Sequence, residues 1–186
     1  MTFATEATIE THREKDARIR KAQNKVIARM RADPEKARST IATTGRIDAG
    51  LACSVRQGKF ETRMDFGPGM GGESTGPSPG FFARAAISGC VAMGIKMLAA
   101  REGLVFDALE VTVETDFDDA ALFELGSSSA APLETRIGIV IDTQVPEEEV
   151  QNLVKRVLKI DPWFLALRDP QHVVSKVSVR PDSAGT

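Results

Sequence analysis

The chain has 186 residues, 42% of them apolar and 27% charged, with a net charge of −2. That balance fits one soluble folded domain, with or without an arm, long enough to close a core without a disulfide or a metal, and it excludes a wholly disordered chain. The charge is unevenly spread: residues 1–38 hold 10 Lys and Arg against 6 Asp and Glu (+4), and the remainder hold 14 against 20 (−6). An acidic body argues against nucleic acid as a partner, and the mixed charges of the basic segment read as a solvated helix face. No uncharged run is long enough to cross a bilayer, and the N-terminus lacks the basic start and apolar stretch of a secretion signal, so no membrane partner is expected. Two cysteines, Cys53 and Cys90, are too few for a disulfide framework or a four-thiolate zinc site, and they point to a reducing, cytoplasmic setting.

In chain order, residues 6–32 are expected to form a helix, with Ile19, Ala22, Val26 and Met30 on one apolar stripe and Pro34 as its stop. The stripe is thin, so the helix must lie on the body or on a second subunit. Residues 38–66 switch to a period of two, with Leu51, Cys53 and Val55 on one face and then Phe60, Thr62, Met64 and Phe66, which predicts an antiparallel meander of three strands. Gly and Pro fill 9 of the 14 positions in 67–80, a density that only a loop tolerates. The loop lacks the Gly-Lys-Ser/Thr ending of a phosphate cradle. Ser78-Pro79 then caps and opens a helix to about Arg101. Its middle, Ala85 to Met93, carries no charge on any face and is expected to be buried all round, with Gly89 and Gly94 marking close approach of another backbone. Strands follow at 108–117 and 134–143 around a loop, then a helix after Pro146 with Val150, Leu153, Val154, Val157 and Leu158 on its inner stripe. A short turn through Trp163 and Leu167 comes next, and Val173, Val177 and Val179 predict a last strand. The fold class is α+β, with helices against antiparallel sheet.

Few residues suit covalent chemistry. His12 lies in the charged arm and His172 at the entry of the last expected strand, and neither has the partners of a hydrolase triad. No spacing among the two His and two Cys supports a metal site, and no cofactor is indicated. Asp118-Asp119 lies in a polar loop and reads as solvated. Cys53 reads as strand packing. Cys90 lies in the centre of the apolar helix, some three turns from its start and beyond the reach of the helix dipole, so by composition it too is packing unless a nearby cation lowers its pKa.

Gly71-Gly72, Gly76-Pro77-Ser78-Pro79 and the apolar helix with Gly89-Cys90-Val91-Ala92-Met93 resemble the OsmC/Ohr family of osmotically inducible and organic-hydroperoxide-resistance proteins. The order of elements matches over about residues 38–180, which divides the chain into an arm, 1–37, and an OsmC-like domain, 38–186. The resemblance implies an intertwined homodimer with two long helices back to back between sheets, and a thiol peroxidase that reduces organic hydroperoxides. It implies Cys90 as the attacking thiol and Arg46, preceded by Gly45, as the cation that lowers its pKa; Arg56 is a weaker candidate, and a plain surface role for Arg46 is the alternative. The substrate pocket would be lined by Phe81, Phe82, Met93 and Trp163.

Two departures from the family pattern bear on this expectation. The second cysteine, which normally opens a Cys-Pro pair, is replaced by Asp161 before Pro162, and the acidic residue after the helix-opening Pro is replaced by Gly80. The expected activity is therefore one-cysteine reduction of organic hydroperoxides completed by an external thiol reductant, unless Cys53 resolves the oxidised Cys90. An Asp beside Cys90 would oppose thiolate formation. The alternative is a non-catalytic dimer binding an apolar small molecule or protein partner, and the basic arm reads either as a docking element or as an extension of the dimer interface.

Overall fold

The computed structural model describes the backbone of residues 3–179 and the side chains of residues 12–179; the ends of the expected arm and domain, 1–2 and 180–186, lie outside the described residues. Helix α1 (Phe3–Ala32) is followed by a turn of 3₁₀ helix and a sheet of three antiparallel strands, β1 (Thr44–Arg46), β2 (Cys53–Gln57) and β3 (Phe60–Met64), in the order β1-β2-β3. Helix α2 (Pro79–Glu102) leads to β4 (Ala108–Asp116), a single helical turn α3 (Asp119–Leu122) and β5 (Glu134–Asp142), which pairs with β4 along all nine residues. Helices α4 (Glu147–Leu158) and α5 (Pro162–Arg168) complete the described elements. The α+β class and the antiparallel sheets agree with the sequence pattern.

The core lies between the second half of α2, the inner face of the β4–β5 ribbon, and α4. Val91, Ile95, Leu98 and Ala99 of α2 meet Leu153 and Val157 of α4 and Phe106, with Leu109, Val111, Ile139 and Ile141 from the ribbon packed around them. These residues repeat at three and four on the helices and at two on the strands, so each element presents one continuous apolar face. The β1–β3 sheet makes little contact with this core.

Three expectations are corrected. Ala85 to Met93 is not buried all round: Phe81, Ala83, Ala85 and Ala86 are exposed, and Met93 is 63% exposed, because α1, β4, α4 and α5 leave part of the α2 surface open among the described residues. Residues 171–179 form no strand; Val173, Val177 and Val179 are 83–87% exposed, since an isolated extended segment has no ladder to join. The arm docks on α2, but along only half of the expected stripe, Ile19 and Met30. Ala22 and Val26 face outward, while His12, Asp16, Ile19, Gln23, Ile27 and Met30 turn inward. Asp16 is buried and ion-paired to Lys96 of α2, whose Nζ lies 2.9 Å from Oδ1 and 3.0 Å from Oδ2, and the His12 Nδ1–H donates to the Phe106 carbonyl at 3.1 Å.

Candidate functional site

The glycine-rich stretch is an ordered loop, wound around one carboxylate. Asp65, at the end of β3 and 3% exposed, accepts from the backbone N–H groups of Phe66 (2.8 Å), Glu73 (3.2 Å) and Thr75 (3.0 Å) and from the Thr75 hydroxyl (2.8 Å). The Thr75 N–H and hydroxyl, followed by the N–H groups of Glu73 and Phe66, hold its pKa below the ordinary carboxylate value despite the opposing effect of burial. The composition follows from close approach. A Cβ on Gly72 would stand 2.1 Å from the Phe66 carbonyl oxygen, and one on Gly76 would stand 2.4 Å from that of Arg63, so no side chain fits at either position. The loop delivers the chain to Ser78, whose hydroxyl accepts from the Phe81 N–H at 3.3 Å and starts α2 as the Ser-Pro pair predicts.

Three turns along α2, Cys90 is half-buried on the edge between the covered and uncovered sides of the helix. One turn further, Gly94 lets the α4–α5 junction come close: a Cβ there would lie 3.0 Å from Val157 Cγ1 and 3.5 Å from Asp161 Oδ2. Asp161 is 3% exposed and caps α5, its Oδ1 accepting from the Phe164 N–H at 2.8 Å. Asp161 and the Trp163 backbone N–H are the groups of α5 that act on the Cys90 thiol. Burial, then the hydrogen bond to Asp161 and its charge, push the thiol pKa up, against the smaller lowering by the Trp163 N–H. The net effect favours the protonated thiol over the thiolate. Asp161 as the opposing group follows from its place in the sequence; the Trp163 N–H does not, because a backbone contact leaves no mark on residue type.

The other candidates are dispersed. Arg46 lies on β1 with its side chain 76% exposed, bound to Asp48 at 2.6 Å, and it is not among the groups acting on Cys90. Arg56 pairs with Glu61 at 2.8 Å on the same sheet. Phe81 and Phe82 stack edge to face with centroids 5.3 Å apart at the start of α2, about 18 Å along the helix axis from Met93. Met93 lines a cavity of about 360 Å³ between α1, α2 and the start of β4, together with His12, Lys15, Asp16, Lys96 and Phe106. Trp163 lines a different groove, along α5 with Pro162, Leu165 and Ala166. Met93 and Trp163 thus line two different cavities among the described residues. Cys53 and Cys90 are both free thiols.

Against this geometry the comparisons are specific. Among solved structures, the chain is similar to an OsmC-like protein from Mycoplasma pneumoniae, at 14% identity and a TM-score of 0.61, over 70% of this chain and 88% of that one. It is also similar to an organic hydroperoxide resistance protein from Elizabethkingia anophelis, at 18% identity and a TM-score of 0.53, over 70% and 89%. No curated protein matches the sequence. The sequence model of the family described as OsmC-like protein matches residues 71–175, which takes in the glycine-rich loop, the Cys90 helix and the Asp161 cap. With the fold shared as well, the chain belongs to the OsmC-like protein family.

Proposed function

We propose that the protein reduces organic hydroperoxides through Cys90 alone, as a homodimer in a reducing, cytoplasmic setting. The observation that carries this reading is Cys90, half-buried on α2 one turn before Gly94, where the buried Asp161 carboxylate approaches the helix. The relative from Elizabethkingia anophelis, named for organic hydroperoxide resistance, supports the substrate class. The sulfur attacks the peroxide, the O–O bond breaks, and Cys90 becomes a sulfenic acid while the alcohol leaves. Asp161 stands where a second thiol would close a disulfide, so one external thiol condenses with the sulfenic acid, releasing water, and a second releases Cys90 as thiol. Two features of the subunit support the dimer. The uncovered side of α2 presents Phe81, Met93 and Met97, and the valine-rich segment 171–179 is extended without a strand partner among the described residues. The apolar pocket for the substrate, with Phe81, Phe82, Met93 and Trp163, and any part for Arg46 would then be completed between subunits.

The test is mass spectrometry of the native protein after brief exposure to cumene hydroperoxide with a sulfenic-acid trap, alongside peroxide consumption by the parent and Cys90→Ser. A trap adduct on Cys90, and consumption that is lost in Cys90→Ser, are the expected results. An unmodified Cys90 would overturn the reading. A Cys53–Cys90 disulfide would replace the external thiol by an internal one. A second reading, a non-catalytic dimer that binds an apolar small molecule, is favoured by the upward-shifted Cys90 thiol, and an inert Cys90 is its expected result.

A further inference from the structure

Resting on the hydroperoxide reading above, we infer that Asp161 is a catalytic residue, the proton acceptor and donor that lets Cys90 react from its thiol form. Three geometric facts lead there. Asp161 is nine-tenths buried at the head of α5, where that helix packs against α2. Its Oδ1 is engaged by the Phe164 N–H, which fixes the carboxyl group at the start of α5. Gly94, by lacking a side chain, leaves Oδ2 in the space beside the Cys90 turn of α2. Among the described residues of the subunit, this carboxylate is the charged group that acts on the Cys90 thiol.

The chemistry balances without a further reactant. A sulfur lone pair attacks the terminal oxygen of R–O–O–H and the O–O bond breaks. As the S–O bond forms, the S–H proton passes to the Asp161 carboxylate and from there to the departing R–O oxygen. The terminal oxygen keeps its own hydrogen, so Cys–SH and ROOH give Cys–SOH and ROH; sulfur loses two electrons and the peroxide gains them. The same contact that keeps the resting thiol protonated thus supplies the leaving group with its proton. A carboxylate that only repressed the thiol would have the opposite effect on rate when removed, and this separates the two roles.

The experiment is Asp161→Asn, with Asp161→Ser as a second variant, because both residues keep the helix cap while removing the base. Folding is checked by circular dichroism and thermal unfolding. Two rates are compared with the parent: alkylation of Cys90 by iodoacetamide at neutral pH, and kcat/KM for cumene hydroperoxide. Alkylation should become faster in both variants, because the group that raises the thiol pKa is gone, while peroxide reduction should fall by about 10²-fold or more. Peroxide reduction as fast as or faster than the parent, in a variant that alkylates faster, would overturn the relay and leave the one-cysteine reading standing. A parent that consumes no peroxide would overturn both.

Discussion

The arm is held by an ion pair whose loss can be sized. Asp16 is buried against α2 and Lys96 is 28% exposed, with Nζ at 2.9 Å. At that distance, with an effective dielectric constant of about 20, the attraction is about 6 kcal/mol before desolvation is counted. Removing one partner of a buried pair costs about 3–5 kcal/mol because the other charge is left uncompensated. The partial exposure of Lys96 lowers this, to about 2 kcal/mol. Lys96→Met should therefore loosen α1 without unfolding the β4–β5, α2 and α4 core, in which Lys96 takes no part. The arm carries tryptic sites at Arg13, Lys15, Arg18 and Arg20 on either side of Asp16, and cleavage there reports the population of the undocked arm. Two kcal/mol corresponds to about a 30-fold faster cleavage. The double variant Asp16→Leu/Lys96→Met, with no charge left to bury, should return the rate most of the way to the parent. A Lys96→Met protein cut within about twofold of the parent rate would refute the ion pair as the arm's anchor.

Three further outcomes follow from other parts of the fold. Val157 is 2% exposed and touches the space over Gly94, so Val157→Ala should destabilise the protein by about 2–3 kcal/mol, seen as a thermal midpoint lower by about 5–10 °C; an unchanged midpoint would mean that α4 is not packed there. The folded Asp65 holds its proton less readily than its ordinary value of 3.8, so its contribution is fully present at neutral pH and is lost as pH falls through the lower, folded value. Hydrogen exchange at the Glu73 and Thr75 amides should accelerate on acidification below that range, and Asp65→Asn should show the faster exchange already at neutral pH. Met97→Lys places a charge on the uncovered side of α2 and should shift a dimer toward monomer by light scattering, with the circular dichroism spectrum retained; a mass unaffected by the charge would place the subunit contact elsewhere.

How far the molecule is legible from its residues depends on where each element finds its partners. Val111 and Val113 against Ile137 and Ile139 alternate because their two strands bury one face on a helix of the same subunit, and pattern and structure agree. The Ser78-Pro79 start of α2 is equally local, since cap and first turn are neighbours in sequence. Burial of α2 is not local. An apolar residue such as Met93 satisfies the same pattern whether its neighbour belongs to its own subunit or to another, so a uniformly apolar helix reads as enclosed when half of it is open. The arm misleads in the opposite sense. Asp16 and Gln23 carry polar side chains at positions that face α2, and a search for apolar stripes passes over them in favour of Ala22 and Val26. Val173, Val177 and Val179 alternate as a strand should, but alternation describes side chains, and a strand is completed by backbone groups elsewhere.

The candidate site is likewise the product of a chain of local choices that meet in space. Glycine at 94 removes the one side chain that would hold α4 away from α2. The closer approach brings the end of α4, through Val157, to the turn that carries Cys90, and the following Asp161-Pro162 begins α5 in the only way such a dipeptide readily does, with the aspartate as cap. A capping carboxylate is fixed in direction by the N–H it accepts, so its second oxygen is aimed rather than free. That oxygen lies 3.5 Å from where a Cβ on Gly94 would stand, one turn of α2 beyond Cys90. Replacing a second thiol by aspartate therefore does more than delete a disulfide partner. Under the relay inferred above, the mouth of α5 is a proton partner of Cys90, placed by the packing of α4 and α5 on α2.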